Sequence, residues 1–367
     1  MAVLGTGLYV GYKIAPMAPA SSLASSSEEG RGDTPLDDVD TVNPFKGNRP
    51  LHMALFGIDK TATTDMTAED NPSRSDVVML LTMDPRQRKA QLLSLPRDTY
   101  VRVPGYKGKT KLGHAYAYGG HELAIETIED FMDVDIDHYA VVDYQAVEKL
   151  VNAVGGVEVD IPFDYEYLDT YVVPNLRINF KKGPQKLNGA DAVRYLRIRK
   201  QYEDQDIGRI QAQQGFLMTL FDQIKSPKLL FRFNTLLDIA NNNVETDLNY
   251  GEIAYLAKFG LSLDREDIIT DTLVGDDTYI GDIAYYIVDE DSAREQLNRF
   301  SEGKGSYYQE VVVDEKDQAE EGEEDQEDVE ETTEDEGELL KKEGKLGRSG
   351  KGSSQEENTR ARRNPVD

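Results

Sequence analysis

The chain has 367 residues, enough for one large domain or two ordinary ones. It contains no cysteine, which excludes both a disulfide framework and a thiolate metal site. Its formal net charge is −28, and residues 310–338 alone hold seventeen acidic residues against one lysine. The rest of the chain is acidic as well. So acidic a body argues against non-specific binding to nucleic acid and against electrostatic docking on anionic lipid.

The N-terminus carries an apolar stretch, residues 2–12, which Lys13 interrupts. A transmembrane helix needs about 20 apolar residues, so this stretch is too short to span a bilayer by itself. We interpret residues 1–15 as the outer end of a transmembrane anchor whose beginning is missing; the alternative is a frayed terminus. Residues 16–48 are rich in Ser, Pro, Gly and Asp, a composition typical of a flexible linker.

From residue 49 to residue 300 the composition is that of a folded domain, which begins with three short apolar runs. Residues 53–58, 77–82 and 90–95 are predicted strands. The turn residues 84–87 predict that the second and third strands form an antiparallel hairpin. This hairpin would place residue 76 opposite residues 97 and 98.

Charged residues lie at the ends of these predicted strands. If the first strand runs antiparallel to the second, its last residues reach the same edge of the sheet as the open end of the hairpin. The side chains that would meet there are Asp59, Arg74, Asp76, Arg97 and Asp98. So many carboxylates and guanidiniums indicate a functional site, because stability alone does not gather them. The alternative is ordinary surface charge at strand ends.

The middle of the domain alternates helices and strands. Apolar residues on one helical face predict a helix over 124–132, and a strand is predicted at 139–142. A helix capped by Asp143 follows and ends at Gly155, before a strand at 157–161. This rhythm predicts an α/β sheet with helices on its faces.

The second half of the domain is predicted to be largely helical. Residues 164–186 are irregular and aromatic, and we interpret them as a lid. Asn188 caps a predicted helix, and further helices are predicted at 207–224, 228–242, 250–260 and 282–300. Residues 301–367, acidic and then basic, predict a disordered tail, either a spacer or cation-binding segment or a stretch without function.

A phosphate-binding P-loop, a nucleophile elbow and an HExxH motif are absent from the sequence. A second charged cluster lies in this half of the domain. It comprises Arg194, Arg197, Arg199, Asp206 and Arg209. Arginine forks bind pyrophosphate through paired, charge-assisted hydrogen bonds, and magnesium takes one or two carboxylates plus phosphate oxygens. The two clusters therefore suit a magnesium-bound diphosphate. An intramolecular ion-pair network explains the same residues almost as well.

Eight motifs follow one another in a specific order. They are Leu55-Phe56-Gly57-Ile58-Asp59, Arg74-Ser75-Asp76, Ser94-Leu95-Pro96-Arg97-Asp98, residues 111–120 (KLGHAYAYGG), Gly155-Gly156-Val157-Glu158-Val159-Asp160, Leu187-Asn188-Gly189, Tyr195-Leu196-Arg197-Ile198-Arg199 and Asp206-Ile207-Gly208-Arg209-Ile210-Gln211-Ala212-Gln213-Gln214. With these motifs the chain resembles the LytR–CpsA–Psr family of Gram-positive cell-envelope proteins. The resemblance is dense over residues 50–225 and looser to about residue 300.

The resemblance implies a fold and a function. The expected fold is a three-layer α/β/α sandwich with a central mixed sheet, an antiparallel hairpin near the active site and a helical C-terminal part. The expected protein is a single-pass membrane protein whose catalytic domain is extracellular. The expected reaction moves an anionic glycopolymer, such as wall teichoic acid or capsule, from an undecaprenyl-pyrophosphate carrier to peptidoglycan.

The resemblance also implies roles for individual residues. Asp59 and Asp76 match the positions that bind Mg²⁺. Asp98 and Asp206 match acid/base or orienting positions, with Arg97 beside them in the catalytic set. The residues expected to bind pyrophosphate are Arg74, Arg97, Lys111, Arg197, Arg199 and Arg209.

Three questions stay open at this point. Either Asp98 or Asp206 could take the proton of the attacking hydroxyl. Two apolar helix faces, one at Leu150, Val151 and Val154 and one at 216–221, would line a tunnel for the polyprenyl chain or simply form core. The protein would transfer a glycopolymer, or bind the lipid pyrophosphate as a regulator, or hydrolyse it.

Overall fold

The computed structural model describes residues 39–59, 75–169, 176–199, 201–202 and 206–313. Residues 1–15, Arg74 and most of the predicted linker and tail lie outside the described residues. The strands are β1 (Leu51–Ile58), β2 (Ser75–Asp84), β3 (Lys89–Ser94), β4 (Tyr100–Arg102), β5 (Lys109–Lys111), β6 (His138–Asp143), β7 (Val157–Ile161), β8 (Tyr165–Asp169), β9 (Leu176–Phe180), β10 (Gly183–Leu187), β11 (Val244–Thr246), β12 (Ile268–Thr272), β13 (Asp276–Ile280) and β14 (Ile283–Ile287). The helices are α1 (Leu112–Met132), α2 (Tyr144–Val154), α3 (Gly189–Leu196), α4 (Asp206–Ile224), α5 (Pro227–Leu230), α6 (Phe233–Asn243), α7 (Tyr250–Leu261) and α8 (Glu290–Ser301).

A six-stranded mixed sheet in the order β11-β6-β1-β2-β3-β12 forms the centre of the fold. β2 and β3 form the predicted hairpin, in which Asp84 pairs with Lys89. β1 runs antiparallel to β2 and parallel to β6, and β12 runs parallel to β3. The predicted antiparallel order of the first three strands is therefore confirmed.

Helices cover both faces of this sheet because the apolar residues of β1 alternate. Ala54, Phe56 and Ile58 belong to one core, together with residues of α1 and α8. Leu51 and Met53 belong to the core on the other face, together with residues of α7. A further core joins residues of α2, α3 and α4 to β7, β9 and β10. The predicted three-layer α/β/α sandwich is confirmed.

The prediction that residues 164–186 are irregular is wrong. β8 pairs with β9, and β10 pairs with β7, all antiparallel. Ile178 and Phe180 are buried in the core that contains α2 and α4, whereas Arg177 between two apolar neighbours is exposed. This alternation with a period of two is the signal of a half-buried strand.

The predicted helix at 282–300 is wrong in its first part. Residues 283–287 form β14, which pairs with β13 through a two-residue turn, Gly281-Asp282. Gly281 has φ +64°, a conformation that glycine adopts without steric cost and that two-residue hairpin turns need. α8 begins only at Glu290, where Asp289 accepts a hydrogen bond from the backbone N–H of Ser292.

Residues outside the predicted domain bounds of 49 and 300 also pack on this fold. Phe45 is buried in the core beside α7, and Lys258 Nζ donates to the carbonyl of Val39 at 3.0 Å. Past α8, the buried carboxylate of Asp271 accepts hydrogen bonds from the backbone N–H groups of Tyr307 and Tyr308. Among the described residues, no helix combines the length and apolar character that crossing a membrane requires.

Candidate active site

Charged residues meet at one edge of the central sheet, where β1 and β3 end and β2 begins. β1 ends before Asp59, and β2 begins with Ser75 and Asp76 beside it, since Ile58 pairs with Ser75. The register shifts at this point, next to Gly57. A Cβ on Gly57 would lie 2.8 Å from Val77 Cβ, so only glycine permits this close approach.

The open end of the β2–β3 hairpin reaches the same edge. The ladder continues past β3, because the Leu95 N–H donates to the Val78 carbonyl at 2.9 Å. Two residues further on, the Arg97 guanidinium forms an ion pair with Asp76. The hairpin thus places residue 76 opposite residue 97, as its turn predicted.

The second charged cluster joins the first through α3 and α4. Arg197, the C-terminal cap of α3, places its Nη2 3.0 Å from Asp59 Oδ2. The Arg199 guanidinium lies between two carboxylates, 3.6 Å from Asp98 and 3.3 Å from Asp206. Because α4 begins at Asp206 and runs towards the sheet, residues about a hundred positions apart in sequence become neighbours.

Lys111 completes the described part of this cluster, whereas Arg194 does not enter it. Lys111 Nζ lies 3.0 Å from Asp98 Oδ1 and 5.7 Å from the centre of the Tyr285 ring. Arg194 instead pairs with Asp191 on its own helix at 2.6 Å. Arg74 lies outside the described residues.

Arg209 is the most deeply buried of these arginines, with 6% of its surface exposed. Its Nη2 lies 2.7 Å from Asp206 Oδ1 and 3.4 Å from the carbonyl of Asp76. Burial lowers the pKa of the Arg209 guanidinium, and the positive charges of Arg97 and Arg199 lower it further against the opposing effect of Asp206. Burial is the largest of these effects, so the cost of removing the Arg209 charge from water dominates at this position.

Several nitrogen atoms of this cluster are buried without a hydrogen-bond partner among the described residues. They are the Nε atoms of Arg97, Arg199 and Arg209. Arg199 Nε lies within ion-pair distance of Asp206 Oδ1, but without the alignment of a hydrogen bond. A buried guanidinium N–H without a partner is costly, so the site is suited to an anion that supplies acceptor oxygens.

An apolar cavity of about 270 Å³ adjoins the charged cluster between the sheet, α2 and α4. Its lining includes Leu55 and Met79 of the sheet, Leu150 of α2, and Phe216 and Leu220 of α4. Val77, Met79 and Gln213 line both this cavity and the small pocket formed by Asp76, Arg97, Asp206 and Arg209. The wall of the apolar cavity therefore adjoins residues of the charged cluster.

The two predicted apolar helix faces contribute unequally to this cavity. Leu150, Phe216, Leu217 and Leu220 line it. Val151 and Val154 instead belong to the core formed by α2, α3 and α4.

Tyr144 is a site residue that the sequence interpretation missed. It begins α2 directly after β6, lines the apolar cavity, and lies 5.4 Å below the Arg197 guanidinium, measured from its ring centre. Burial, together with the charges of Asp76 and Asp59, raises the pKa of Tyr144 to about 12, so its hydroxyl stays protonated at neutral pH. The sequence feature that could have identified it is its position directly after the strand predicted at 139–142, which the structure places beside β1 as β6.

Asp59 and Asp76 offer two carboxylates at one strand edge, each beside an arginine. Among the described residues, no group of three or more His, Asp or Glu side chains could hold a metal ion. Two carboxylates nevertheless match what Mg²⁺ takes from a protein when phosphate oxygens and waters supply its other ligands. The residues fit a magnesium ion that arrives with its phosphate ligand.

Comparison with known proteins agrees with the fold. The model of the LytR_cpsA_psr family matches residues 17–302. "Polyisoprenyl-teichoic acid--peptidoglycan teichoic acid transferase TagV" of Bacillus subtilis (strain 168) is 33% identical over 294 residues, 80% of this chain and 72% of the relative. The chain belongs to the LytR–CpsA–Psr family.

Two solved structures show the same fold. The crystal structure of B. subtilis TagV superposes with a TM-score of 0.58 at 32% identity, covering 69% of this chain and 97% of that one. The structure described as TagT bound to LIIa-WTA superposes with a TM-score of 0.55 at 26% identity, covering 76% and 98%. The second of these was solved with a wall-teichoic-acid ligand.

Proposed function

We propose that this protein transfers an anionic glycopolymer from a polyprenyl-pyrophosphate carrier to peptidoglycan. The observation that carries the proposal is that the wall of the apolar cavity adjoins the arginine–aspartate cluster. A polyprenyl pyrophosphate has the same two parts, a diphosphate joined to an apolar chain. The teichoic acid transferases to which the chain is similar support the assignment.

The donor binds across this junction. The diphosphate binds at the cluster of Arg97, Arg199 and Arg209 and accepts hydrogen bonds from their guanidiniums, whose Nε atoms are buried without a partner among the described residues. The first isoprene units enter the apolar cavity past Tyr144, in contact with Leu150 and Phe216. Burial of these units in place of water stabilises the complex at about 25 cal/mol per Å² of apolar surface.

The chemistry follows from where charge develops. The acceptor hydroxyl oxygen attacks the phosphorus that carries the glycan, and the bond to the bridging oxygen breaks, releasing polyprenyl phosphate. Negative charge grows on the leaving phosphate, and the fixed guanidiniums of Arg97, Arg199 and Arg209 stabilise it.

Asp98 takes the hydroxyl proton. It lines an open polar pocket, whereas both carboxylate oxygens of Asp206 are buried and its Oδ1 is ion-paired with Arg199 and Arg209. Asp206 holds these arginines in place. The ion pairs from Lys111 and Arg199 keep the Asp98 carboxylate oriented towards the pocket.

We also propose that Asp59 and Asp76 hold Mg²⁺ together with the diphosphate. When bound, the ion would neutralise part of the charge that builds on the phosphates. Arg197 and Arg97, paired with these two aspartates, keep them at the strand edge.

The variant Asp76→Ala tests this magnesium site. We expect calorimetric titration of Mg²⁺ into the protein–diphosphate complex to show binding in the parent and at least tenfold weaker binding in the variant. The melting temperature should stay close to that of the parent, because the Asp76 side chain is 29% exposed and its ion pair adds little stability. Asp191→Ala, which removes a carboxylate that contacts Arg194 and Asn188 away from the site, is the matched control.

Equal magnesium affinity in the parent and Asp76→Ala would contradict the site. Unfolding of Asp76→Ala would instead indicate that the ion pairs serve the structure.

The location follows from the same proposal. A polyprenyl carrier resides in the membrane and peptidoglycan lies outside it, so we place the catalytic domain on the extracellular side; the single-pass anchor is what the family resemblance implies. The predicted anchor, residues 1–15, lies outside the described residues.

Turnover with and without an acceptor tests the proposed function. The purified protein is supplied with a polyprenyl-pyrophosphate-linked glycopolymer, and both released polyprenyl phosphate and glycan-bound polymer are measured. A transferase releases polyprenyl phosphate and attaches polymer when peptidoglycan strands are added. Release without attachment would indicate a pyrophosphatase, and binding without release a regulator.

A further inference from the structure

Two helices run from the charged cluster along the apolar cavity and end beside each other. α2 begins with Tyr144 under Arg197, α4 begins with Asp206, and residues of both helices line the cavity. Near their other ends, Gln223 Nε2 donates to the carbonyl of Val154 at 3.1 Å. With a rise of about 1.5 Å per residue, α4 extends about 28 Å from the cluster. The last turns of α2 and α4 therefore lie on the side of the cavity that is remote from the charged cluster.

The chain at this remote side is basic, although the protein as a whole is strongly acidic. Residues 223–237, which we call the basic segment, contain three basic residues and no acidic one, whereas the whole chain carries a net charge of −28. Lys225 lies 3.7 Å from Asp264. Lys228 and Arg232 are exposed and form no ion pair among the described residues. The basic segment therefore presents two uncompensated positive charges to the solvent.

Contacts hold the basic segment at the end of α2 with one aromatic ring exposed. Arg232 Nη1 donates to the carbonyl of Ala153 in the last turn of α2 at 3.1 Å. Leu229 and Phe233 are buried, whereas Phe231 between them is 67% exposed. The backbone on both sides of Phe231 is thus anchored while its ring faces solvent. Exposed aromatic and basic side chains on one segment are typical of a surface that binds the membrane interface.

The apolar cavity is open near the basic segment. Leu217 lines the cavity, is 37% exposed, and lies less than two turns along α4 before the basic segment. The cavity volume of about 270 Å³ is smaller than the roughly 300–1,000 Å³ of pockets that enclose drug-sized ligands, so it holds only part of a polyprenyl chain. The rest of such a chain avoids water by staying in the bilayer. The open side of the cavity must then meet the bilayer.

We propose that the basic segment docks on a bilayer surface that carries anionic headgroups. Phe231 inserts at the boundary between headgroups and acyl chains, and Lys228 and Arg232 contact the lipid phosphates. The polyprenyl chain then passes between bilayer and cavity without crossing water. The passage of the chain rests on the proposed function, whereas the docking surface rests on the exposure and charge of the basic segment.

The net acidity of the chain, which argues against docking of the whole body on anionic lipid, does not extend to this surface. The acidic residues that border the basic segment are engaged elsewhere, since Asp222 pairs with Arg265 and Asp238 accepts a hydrogen bond from Tyr250. More distant charges are screened beyond a Debye length of about 8 Å at physiological ionic strength. A lysine or arginine that touches the anionic leaflet is attracted at this short range. Charge complementarity therefore favours an anionic bilayer as the occupant.

A tryptophan reporter tests the docking surface. The chain contains no tryptophan, so Phe231→Trp supplies a single fluorescent indole at an exposed position. The full chain is mixed with vesicles of equal parts phosphatidylglycerol and phosphatidylcholine. We expect the emission to shift to shorter wavelength and to be quenched by brominated lipid. Vesicles of phosphatidylcholine alone should bind at least roughly tenfold more weakly, and added salt should weaken binding to the anionic vesicles.

The chain offers matched controls for the position and for the charge. Tyr279 is 75% exposed on β13, beside exposed acidic residues, and Tyr279→Trp should keep the emission of an indole in water. Lys228→Glu, added to Phe231→Trp, should weaken binding to the anionic vesicles roughly tenfold or more. Lys107→Glu makes the same charge change on an exposed lysine of the loop between β4 and β5, and should have little effect.

Three results would overturn the docking surface. The first is an emission of Phe231→Trp that anionic vesicles leave unchanged, whether or not the chain sediments with them. The second is a shift at Tyr279→Trp in place of Phe231→Trp, which would assign the contact to the β13–β14 hairpin. The third is equal binding by the Lys228→Glu and Lys107→Glu chains, which would remove the role of charge.

A transfer assay separates this inference from the proposed function. Phe231→Ala should lower transfer from a donor embedded in anionic vesicles roughly three- to tenfold, because the variant loses apolar contact with the bilayer. Transfer from a short-chain donor in solution should stay at the parent value. Insertion of Phe231→Trp by a protein that never transfers polymer would overturn the proposed function and keep the docking surface. Transfer without insertion would do the reverse.

Discussion

Replacement of Arg97 by alanine is expected to weaken binding of a polyprenyl pyrophosphate tenfold or more and to remove most transfer. Arg97 lies between the charged and polar pockets, and its buried Nε has no hydrogen-bond partner among the described residues. Charge-assisted hydrogen bonds of this kind are worth about 1.5–3 kcal/mol each, which corresponds to at least a tenfold change in affinity. The rise in melting temperature that the ligand produces measures the loss.

Three comparisons sharpen this measurement. Arg194→Ala removes a nearby arginine that pairs with Asp191 instead of entering the cluster, and should bind like the parent. Arg97→Lys should recover only part of the affinity, because an ammonium lacks the planar fork. The corresponding polyprenyl alcohol should stabilise the parent much less than the pyrophosphate does. If both Arg97→Ala and Arg199→Ala bind the donor and transfer polymer as the parent does, the diphosphate binds elsewhere.

The second large effect is expected for Asp98→Asn. Asparagine keeps the size of the side chain but cannot take a proton, so transfer should fall by about 10²–10⁴. Binding of the polyprenyl pyrophosphate should change less than transfer does, because Asp98 acts on the bound diphosphate only through its ion pairs with Lys111 and Arg199. Single-turnover release of polyprenyl phosphate, measured at saturating donor, separates the chemical step from binding.

The variant Asp206→Asn should be measured beside Asp98→Asn, because the comparison separates the roles of the two aspartates. The oxygens of Asp206 are buried and Oδ1 is ion-paired with Arg199 and Arg209, so losing the charge should disturb the arginines and weaken donor binding first. If Asp98→Asn keeps the turnover of the parent, and Asp206→Asn is inactive but still binds the donor, then Asp206 takes the hydroxyl proton and Asp98 does not.

Local patterns in the sequence determined the elements that hold the first cluster. The apolar runs of β1, β2 and β3 and the turn after Asp84 predicted the hairpin, and the hairpin predicted that Asp76 and Arg97 would face each other. Strand alternation and turn chemistry are properties of neighbouring residues, so they can be read without a fold. The predicted irregular segment was wrong at Ile178, where alternating burial indicates a strand, and the predicted helix was wrong at Gly281-Asp282, where turn residues indicate a hairpin. Both of these signals are also local.

Only the tertiary structure decided which distant groups meet. Arg199 reaches both Asp98 and Asp206 because α3 and α4 bring their ends to the sheet edge, a packing that no short window of sequence contains. The same packing leaves Val151 in the core while Leu150, its neighbour, lines the cavity. The sequence by itself determined which residue types carry charge and which segments form strands and helices. The tertiary structure decided that Tyr144 lies at the wall of the cavity and that Tyr106 stacks on Tyr118, because these contacts depend on long-range packing that brings separate segments together.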